Sequence, residues 1–314
     1  MAETMTTATL SEIQKIKSWL TLARPPFHTV GILPFALGAV MAYRETGAFR
    51  WALWGWGTLA VVLIMLSTYL AGEYFDYEGD RISRRVNPNR FAGGSGVLPT
   101  GAVDRRVPLV GSIIALALAA VVGLVLWLGY RTGPWTIPLG SIGMIGGFFY
   151  SVPPLRWAAR GIGELWIAFC YGWLPVAVAS YLPLGRLDSL VHWVSIPIAA
   201  TIFTVILLNE YPDYEADRAT GKRNLLVRLG PERSARVFAA AHALGWLGML
   251  GSVVAGVPAR TLLFYAPIFF LSAGLVAVVL RGVYHHPRRL EAACGLNIAV
   301  NLGTTLAYIL GFLL

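Results

Sequence analysis

Charge is what this sequence is short of. Asp, Glu, Lys and Arg make up 13% of its 314 residues, where an average soluble domain has about a quarter. At 56% hydrophobic, with a mean hydropathy of +0.64, the chain carries more apolar surface than a water-soluble core of this size needs. That excludes an ordinary soluble enzyme. Cysteine is nearly missing too. Cys170 and Cys294 both lie inside apolar runs, which excludes a disulfide framework and a thiolate metal centre. Alternation at period two is lacking, and with it the signature of a β-barrel. The start has no cleavable signal pattern. Acidic residues number only 16, and half of them fall in two short stretches.

What is present is a series of apolar runs long enough to cross a bilayer. The reading is an all-α, polytopic membrane protein, one domain over 1–314, with nine transmembrane helices. The spans fall at roughly 27–43, 51–75, 107–129, 134–150, 164–182, 191–211, 236–255, 261–280 and 291–314. Residues 1–23 hold Lys15 and Lys17 among Ile13, Ile16, Trp19, Leu20 and Leu22, the pattern of a short amphipathic helix lying on the membrane surface. Arg24-Pro25-Pro26 ends it, because proline cannot continue a helix.

Charge tests the span count. With the N-terminus inside, twenty of the 25 lysines and arginines fall on the inner side. Only Arg44, Arg50, Arg131, Arg186 and Arg260 fall outside, as the positive-inside rule requires. The net charge of +9 is thereby mostly topology, and nucleic acid is not expected as a partner. The expected location is a prokaryotic plasma membrane, with the N-terminus and the long polar loops in the cytoplasm.

Within this frame the chain repeats itself. Residues 73–81 read E-Y-F-D-Y-E-G-D-R and residues 210–218 read E-Y-P-D-Y-E-A-D-R, identical at seven of nine positions. Each copy follows an apolar run, and both fall on the cytoplasmic side. If each is helical, Glu73, Asp76 and Asp80 share one face, as do Glu210, Asp213 and Asp217. Acids at a helix C-terminus oppose its dipole and repel one another. Divalent cations would offset that, and hard oxygen ligands select Mg²⁺, which is commonly shared with substrate phosphates. Arginine-rich stretches follow each phrase, the first containing Gly93-Gly94-Ser95-Gly96. Metal-bound acids beside Arg and Lys point to a phosphate-rich anion, and the membrane points to an apolar remainder. A prenyl diphosphate has that form. Loss of its pyrophosphate leaves an allylic cation that aromatic faces stabilise. Tyr69, Tyr74, Phe75, Tyr77, Phe148, Phe149, Tyr150, Tyr171, Tyr211 and Tyr214 lie near the expected site. Arg24, Arg156 and Arg160 fall on the cytoplasmic side, as candidates to bind an acceptor's carboxylate, with topology charge as the alternative role for at least one of them. A divalent-cation transporter is the alternative of another class, but it needs acids along a path through the membrane. Here they gather at one side.

These residues resemble the UbiA superfamily of intramembrane prenyltransferases. Asn209 to Arg218, with Gly221-Lys222-Arg223-Asn224-Leu225 after it, is similar to that family's second aspartate-rich motif and its loop. The first phrase with Gly93 to Gly96 is similar to the first. Arg24-Pro25 and the Tyr150 to Glu164 stretch resemble the menaquinone branch, whose acceptor is 1,4-dihydroxy-2-naphthoate. The resemblance implies a central cavity and Mg²⁺-dependent transfer of a polyprenyl group from its diphosphate to a small aromatic acceptor. Asp76, Asp80, Asp213 and Asp217 would be catalytic and hold metal, with Glu73 and Glu210 supporting. Lys222 and Arg223, with Arg84 or Arg85, would meet the pyrophosphate, and Asn209, Tyr150 and Arg156 would line the substrate site. The sequence departs from the family pattern at Gly72-Glu73, where Asn-Asp is usual. Altered motifs occur in superfamily members that cyclise a prenyl diphosphate without an acceptor, so a terpene cyclase is the second alternative.

Overall fold

A computed structural model describes residues 12–314, and every regular element among them is helical. The part of the expected surface helix before residue 12 lies outside the described residues. Helix α1, Glu12–Ala23, stops where Arg24 takes a left-handed backbone (φ 49°) ahead of the two prolines. Its Leu22 is buried, while Ile16, Trp19 and Leu20 are exposed. Helix α2, Thr29–Thr46, ends on Gly47, whose φ of 73° is the left-handed cap that glycine supplies without strain. Then come α3, Trp51–Phe75; α4, Tyr77–Val86; α5, Arg106–Leu124, prolonged by a wide turn over Val125–Gly129; and α6, Thr136–Phe148. Helix α7, Gly163–Ala168, runs through a second wide turn into α8, Leu174–Leu184. Asp188 caps α9, Ser189–Asn209, by accepting from the Leu190 amide at 2.7 Å. Two short helices, α10, Tyr214–Ala219, and α11, Leu225–Leu229, lead to α12, Pro231–Val254; α13, Thr261–Leu280; and α14, Pro287–Leu313.

Eight stretches among the described residues are long and apolar enough to cross a membrane. The remaining expected span, fourth in chain order at 134–150, is the shorter apolar helix α6 of thirteen residues. At 1.5 Å per residue it rises about 20 Å of a bilayer core of about 30 Å, and the loop after it completes the return to the side of the acidic phrases, where Ser151 meets Asp76. The helix ends early because the Tyr150 amide turns back onto Gly147 and Pro153-Pro154 prevents a resumed helix. The outer faces are apolar, as lipid demands: Val110, Ile113, Ile114, Leu118 and Val121 stand exposed along α5. Polar groups turn inward and stitch helices together. Ser67 of α3 meets Ser112 of α5 at 3.0 Å. Between α14 and α9, Asn301 donates to Thr201 at 2.9 Å and Thr204 donates to Asn297 at 3.3 Å. These buried bonds hold the two helices that deliver the acidic phrases.

One helical face does not carry each phrase. Helix α3 ends at Phe75 and α4 starts at Tyr77, so the chain breaks at Asp76 (φ −97°, ψ 5°). In the second phrase α9 ends at Asn209, and Pro212, which lacks an amide hydrogen, lies between it and α10. The break takes the three acids off one continuous helix, yet the charges of Asp76 and Glu73 still act on Asp80. The four-residue step survives within each short helix: the Asp80 amide bonds the Asp76 carbonyl at 3.0 Å, and Asp217 bonds Asp213 at 2.8 Å. Each Asp pair thus stays on one turn, while Glu73 and Glu210 are left on the preceding segment.

Candidate active site

The two breaks face each other across one cavity of about 250 Å³. Glu73, Asp76, Asp80, Asn209, Glu210 and Asp213 line it, with Lys222, Tyr150 and Ser151. Both acidic phrases therefore end on one side of the helix bundle. Asp217 stands just behind, tied to the wall by Lys222 at 3.4 Å and by Asn224 at 2.7 Å.

Each carboxylate has its own setting. Asp76 accepts from Ser151 at 2.7 Å and from Arg156 at 3.1 Å. Asp213 accepts from the Ser83 hydroxyl and from the Gly93 amide. Glu73 is enclosed by three donors: Arg24 at 2.8 Å, the Ser95 amide at 2.6 Å and the Ser95 hydroxyl at 2.7 Å. Glu210 packs against Glu164 of α7, whose other oxygen accepts from the Leu225 amide at 2.6 Å. Burial first, and then Glu164, pushes the Glu210 carboxyl well above the usual carboxylate range. Glu210 Oε2 is buried without a partner among the described residues, and Asp80 draws no hydrogen bond from them. Burial, followed by the charges of Asp76, Asp213 and Glu73, holds its carboxyl well above the ordinary range.

The glycine stretch is a strap over this cavity. Gly93, Gly94 and Gly96 all have positive φ, and a Cβ on Gly94 would overlap the Asp80 carboxyl. Arg84 holds the strap by donating to the carbonyls of Gly93 and Gly94 at 2.7 and 2.6 Å. Arg85 and Arg223 are exposed, and neither lines the cavity. Lys222 does line it. Although burial pulls its value down, Asp217, Asp76, Tyr150 and Asp213 hold it well above the ordinary lysine range, so it is a firm cation. The Tyr150 to Gly163 loop is a second platform. Ser151 and Arg156 reach Asp76 from it, and its Ala159 carbonyl accepts from the Arg223 amide at 3.2 Å.

Among the described residues no three Asp, Glu, His or Cys side chains converge on one point as a ready-made metal cage. The donor chemistry nonetheless fits a hard cation. Asp80 is half-buried, faces the cavity without a hydrogen-bond donor among the described residues, and is crowded by three other carboxylates. Burial likewise raises Asp213, and it lifts Asp217 to about 6. A carboxyl raised on folding favours the protonated folded form. Its stabilising share is complete below the ordinary value of about 4 and is lost as pH rises through the folded value. Metal-free protein is expected to melt lower at about pH 7.5 than at about pH 5, and Mg²⁺ at the higher pH is expected to close the gap. Melting curves at both pH values, with and without Mg²⁺, check this.

Deeper in the membrane lies a second chamber of about 310 Å³. Its lining is almost wholly apolar and rich in glycine, including Gly57, Gly123, Gly140 and Gly143. Thr68, Ile167 and Tyr171 line both spaces and form the neck between them. Sequence reasoning assigned no role to Ser83, Ser95, Ser151 or Asn224, although the last three lie in stretches it marked. Their partners are set by folding, and a lone serine in a loop gives no pattern.

A helical membrane bundle with a charged cavity joined to a greasy chamber defines a membrane-embedded prenyltransferase. The chain belongs to the UbiA prenyltransferase family, which it matches over residues 32–301. It is 30% identical over 268 residues to a 1,4-dihydroxy-2-naphthoate octaprenyltransferase of Mycobacterium tuberculosis, covering 83% of this chain and 82% of that one. It is 27% identical over 288 residues to a 2-carboxy-1,4-naphthoquinone phytyltransferase of Synechocystis, covering 91% and 89%. Among solved structures, a UbiA homolog from Archaeoglobus fulgidus bound to DMAPP and Mg²⁺ shares the fold, with a TM-score of 0.63 at 17% identity over 93% of this chain and 99% of that one.

Proposed function

We propose that the protein transfers a polyprenyl group from its diphosphate to 1,4-dihydroxy-2-naphthoate, in a Mg²⁺-dependent step of menaquinone biosynthesis at a prokaryotic plasma membrane. The observation that carries this reading is the joining of an acid-and-lysine cavity to an apolar chamber through one neck. A diphosphate head and a hydrocarbon tail need those two environments in that order. The naphthoate relatives favour the acceptor.

Asp76, Asp80, Asp213 and Asp217 would hold the metal, and bound Mg²⁺ supplies charge neutralisation for the departing pyrophosphate. Glu73 and Glu210 would support this set from behind, Glu73 through the strap and Glu210 through Glu164. Lys222 would bind a diphosphate oxygen and release Asp217 as it does so. The C1–O bond would break near the neck, where Tyr171 stands and where Tyr69 and Tyr150 on the cavity wall offer aromatic faces to the developing allylic cation. The ring carbon bearing the carboxylate then attacks C1, and that carboxylate leaves as CO₂. The buried walls exclude water that would otherwise capture the cation. Asn209 and Arg156 would orient the two substrates.

Lys222→Ala is expected to raise KM for the diphosphate by about 10- to 100-fold, the scale of losing one buried charged contact. Steady-state kinetics at fixed acceptor check it. The reading itself is tested by assaying purified protein with a polyprenyl diphosphate and dihydroxynaphthoate, 4-hydroxybenzoate or no acceptor. Prenylated naphthoquinol alone supports it. A prenylated benzoate as the preferred product, or a cyclic hydrocarbon without acceptor, would contradict it.

A further inference from the structure

The two acidic phrases differ in the residue just before them. Asn209 precedes Glu210, but Gly72 precedes Glu73. The Asn209 side chain lines the cavity, and its Oδ1 is buried without a hydrogen-bond partner among the described residues. At Gly72 there is no side chain, yet the space is not empty. A Cβ there would lie 3.6 Å from the Ser151 hydroxyl oxygen and 3.9 Å from Asp76 Oδ2. Ser151 is 3% exposed, lines the cavity, and donates to Asp76 Oδ2 at 2.7 Å. A side chain at position 72 would project towards that oxygen.

We propose that Ser151 is a positioning residue for Asp76, supplying from the loop after α6 the polar oxygen that Asn209 supplies in the second phrase. This rests on the metal-dependent reading above. The physical case is one of charge. Asp76 has two recorded partners, Ser151 on Oδ2 and Arg156 on Oδ1. The guanidinium is a cation and competes with any metal for the carboxylate. The hydroxyl is neutral. It orients Oδ2 through its proton and keeps its own lone pairs free. A site that must accept a metal retains the neutral partner and gives up the charged one.

Gly72 lies within α3 with an ordinary helical backbone, so a Cβ is allowed there at ordinary contact distance, and the atoms beyond it would head towards Ser151 and Asp76. That makes the proposal a test of compensation. Ser151→Ala is expected to weaken binding of Mg²⁺ with pyrophosphate by about 10-fold, as losses of outer-shell partners do. Ser151→Cys, close in size but a weak donor, is expected to behave alike, and Ser151→Thr to stay within about 3-fold of the parent. Gly72→Asn alone is expected to bind weakly too, because its side chain meets the Ser151 hydroxyl. Gly72→Asn with Ser151→Ala is expected to recover most of the lost affinity. Calorimetric titration of Mg²⁺ with pyrophosphate into detergent-solubilised protein reads this without turnover, and metal-free melting curves show that each variant is folded. Parent-like binding by folded Ser151→Ala or Ser151→Cys overturns the role of Ser151. So does a double variant no better than Ser151→Ala. Parent protein that binds neither Mg²⁺ nor pyrophosphate overturns the metal-dependent reading and this proposal together, and is distinguished by appearing before any substitution is made.

Discussion

Asp80→Asn is expected to lower kcat/KM by about a thousandfold or more, roughly 4 kcal/mol of transition-state stabilisation, and to leave the metal-free fold no less stable. The two halves of this result have one cause. Asp80 faces the cavity without a hydrogen-bond donor among the described residues, and burial and three neighbouring carboxylates oppose its charge. In the absence of metal that charge is a cost to folding. In its presence it attracts the cation. Removing it relieves the first effect and forfeits the second. Melting temperature with and without Mg²⁺ separates them: the metal-free variant is expected to melt at or above the parent, and its Mg²⁺-dependent rise is expected to disappear. A variant that melts well below the parent without metal would show that Asp80 has a structural partner.

Gly140→Phe is expected to cut kcat/KM for geranylgeranyl or longer donors by more than about 10-fold while changing that for dimethylallyl diphosphate by less than about 3-fold. Gly140 lines the apolar chamber, and a Cβ there meets no atom within 4 Å. A phenyl ring can grow into that space without displacing backbone. The acidic cavity beyond the neck is untouched, so a short donor whose tail stops near the neck keeps its contacts. A long tail loses room it needs. Equal losses for short and long donors would place the tail elsewhere. Kinetics with a graded series of donor lengths reads the effect directly.

How much of this was legible in the sequence depended on whether a pattern repeats along the chain or arises only on folding. The apolar runs gave an all-helical membrane bundle because lipid leaves few other choices. The doubled phrase gave Asp76, Asp80, Asp213 and Asp217 because the same four-residue step occurs twice. The fourth span was drawn longer than its helix. The apolar run over 134–150 does not register that Gly147 and Pro153 turn the chain short. The single helical face was over-read as well, because the break at Asp76 depends on the loop that packs against it. Charge alone could not tell Lys222, whose ammonium faces the cavity, from Arg84, whose guanidinium is spent on the carbonyls of the strap. Nor could it pair Glu73 with Ser95 and Arg24, or Glu210 with Glu164. Those contacts cross tens of residues and involve side chains that are ordinary one at a time.

The central claim is that a diphosphate head is held by metal-bound aspartates while its tail occupies the chamber and its C1 meets a naphthoate ring. The most direct test is mass spectrometry of the product from purified protein, a polyprenyl diphosphate and 1,4-dihydroxy-2-naphthoate, first in EDTA and then with Mg²⁺ restored. The account predicts no product in EDTA, and on restoring Mg²⁺ a naphthoquinol carrying the prenyl group with release of CO₂ and pyrophosphate. Product formed equally in EDTA, or pyrophosphate released with Mg²⁺ while the naphthoate is recovered unchanged, would contradict it.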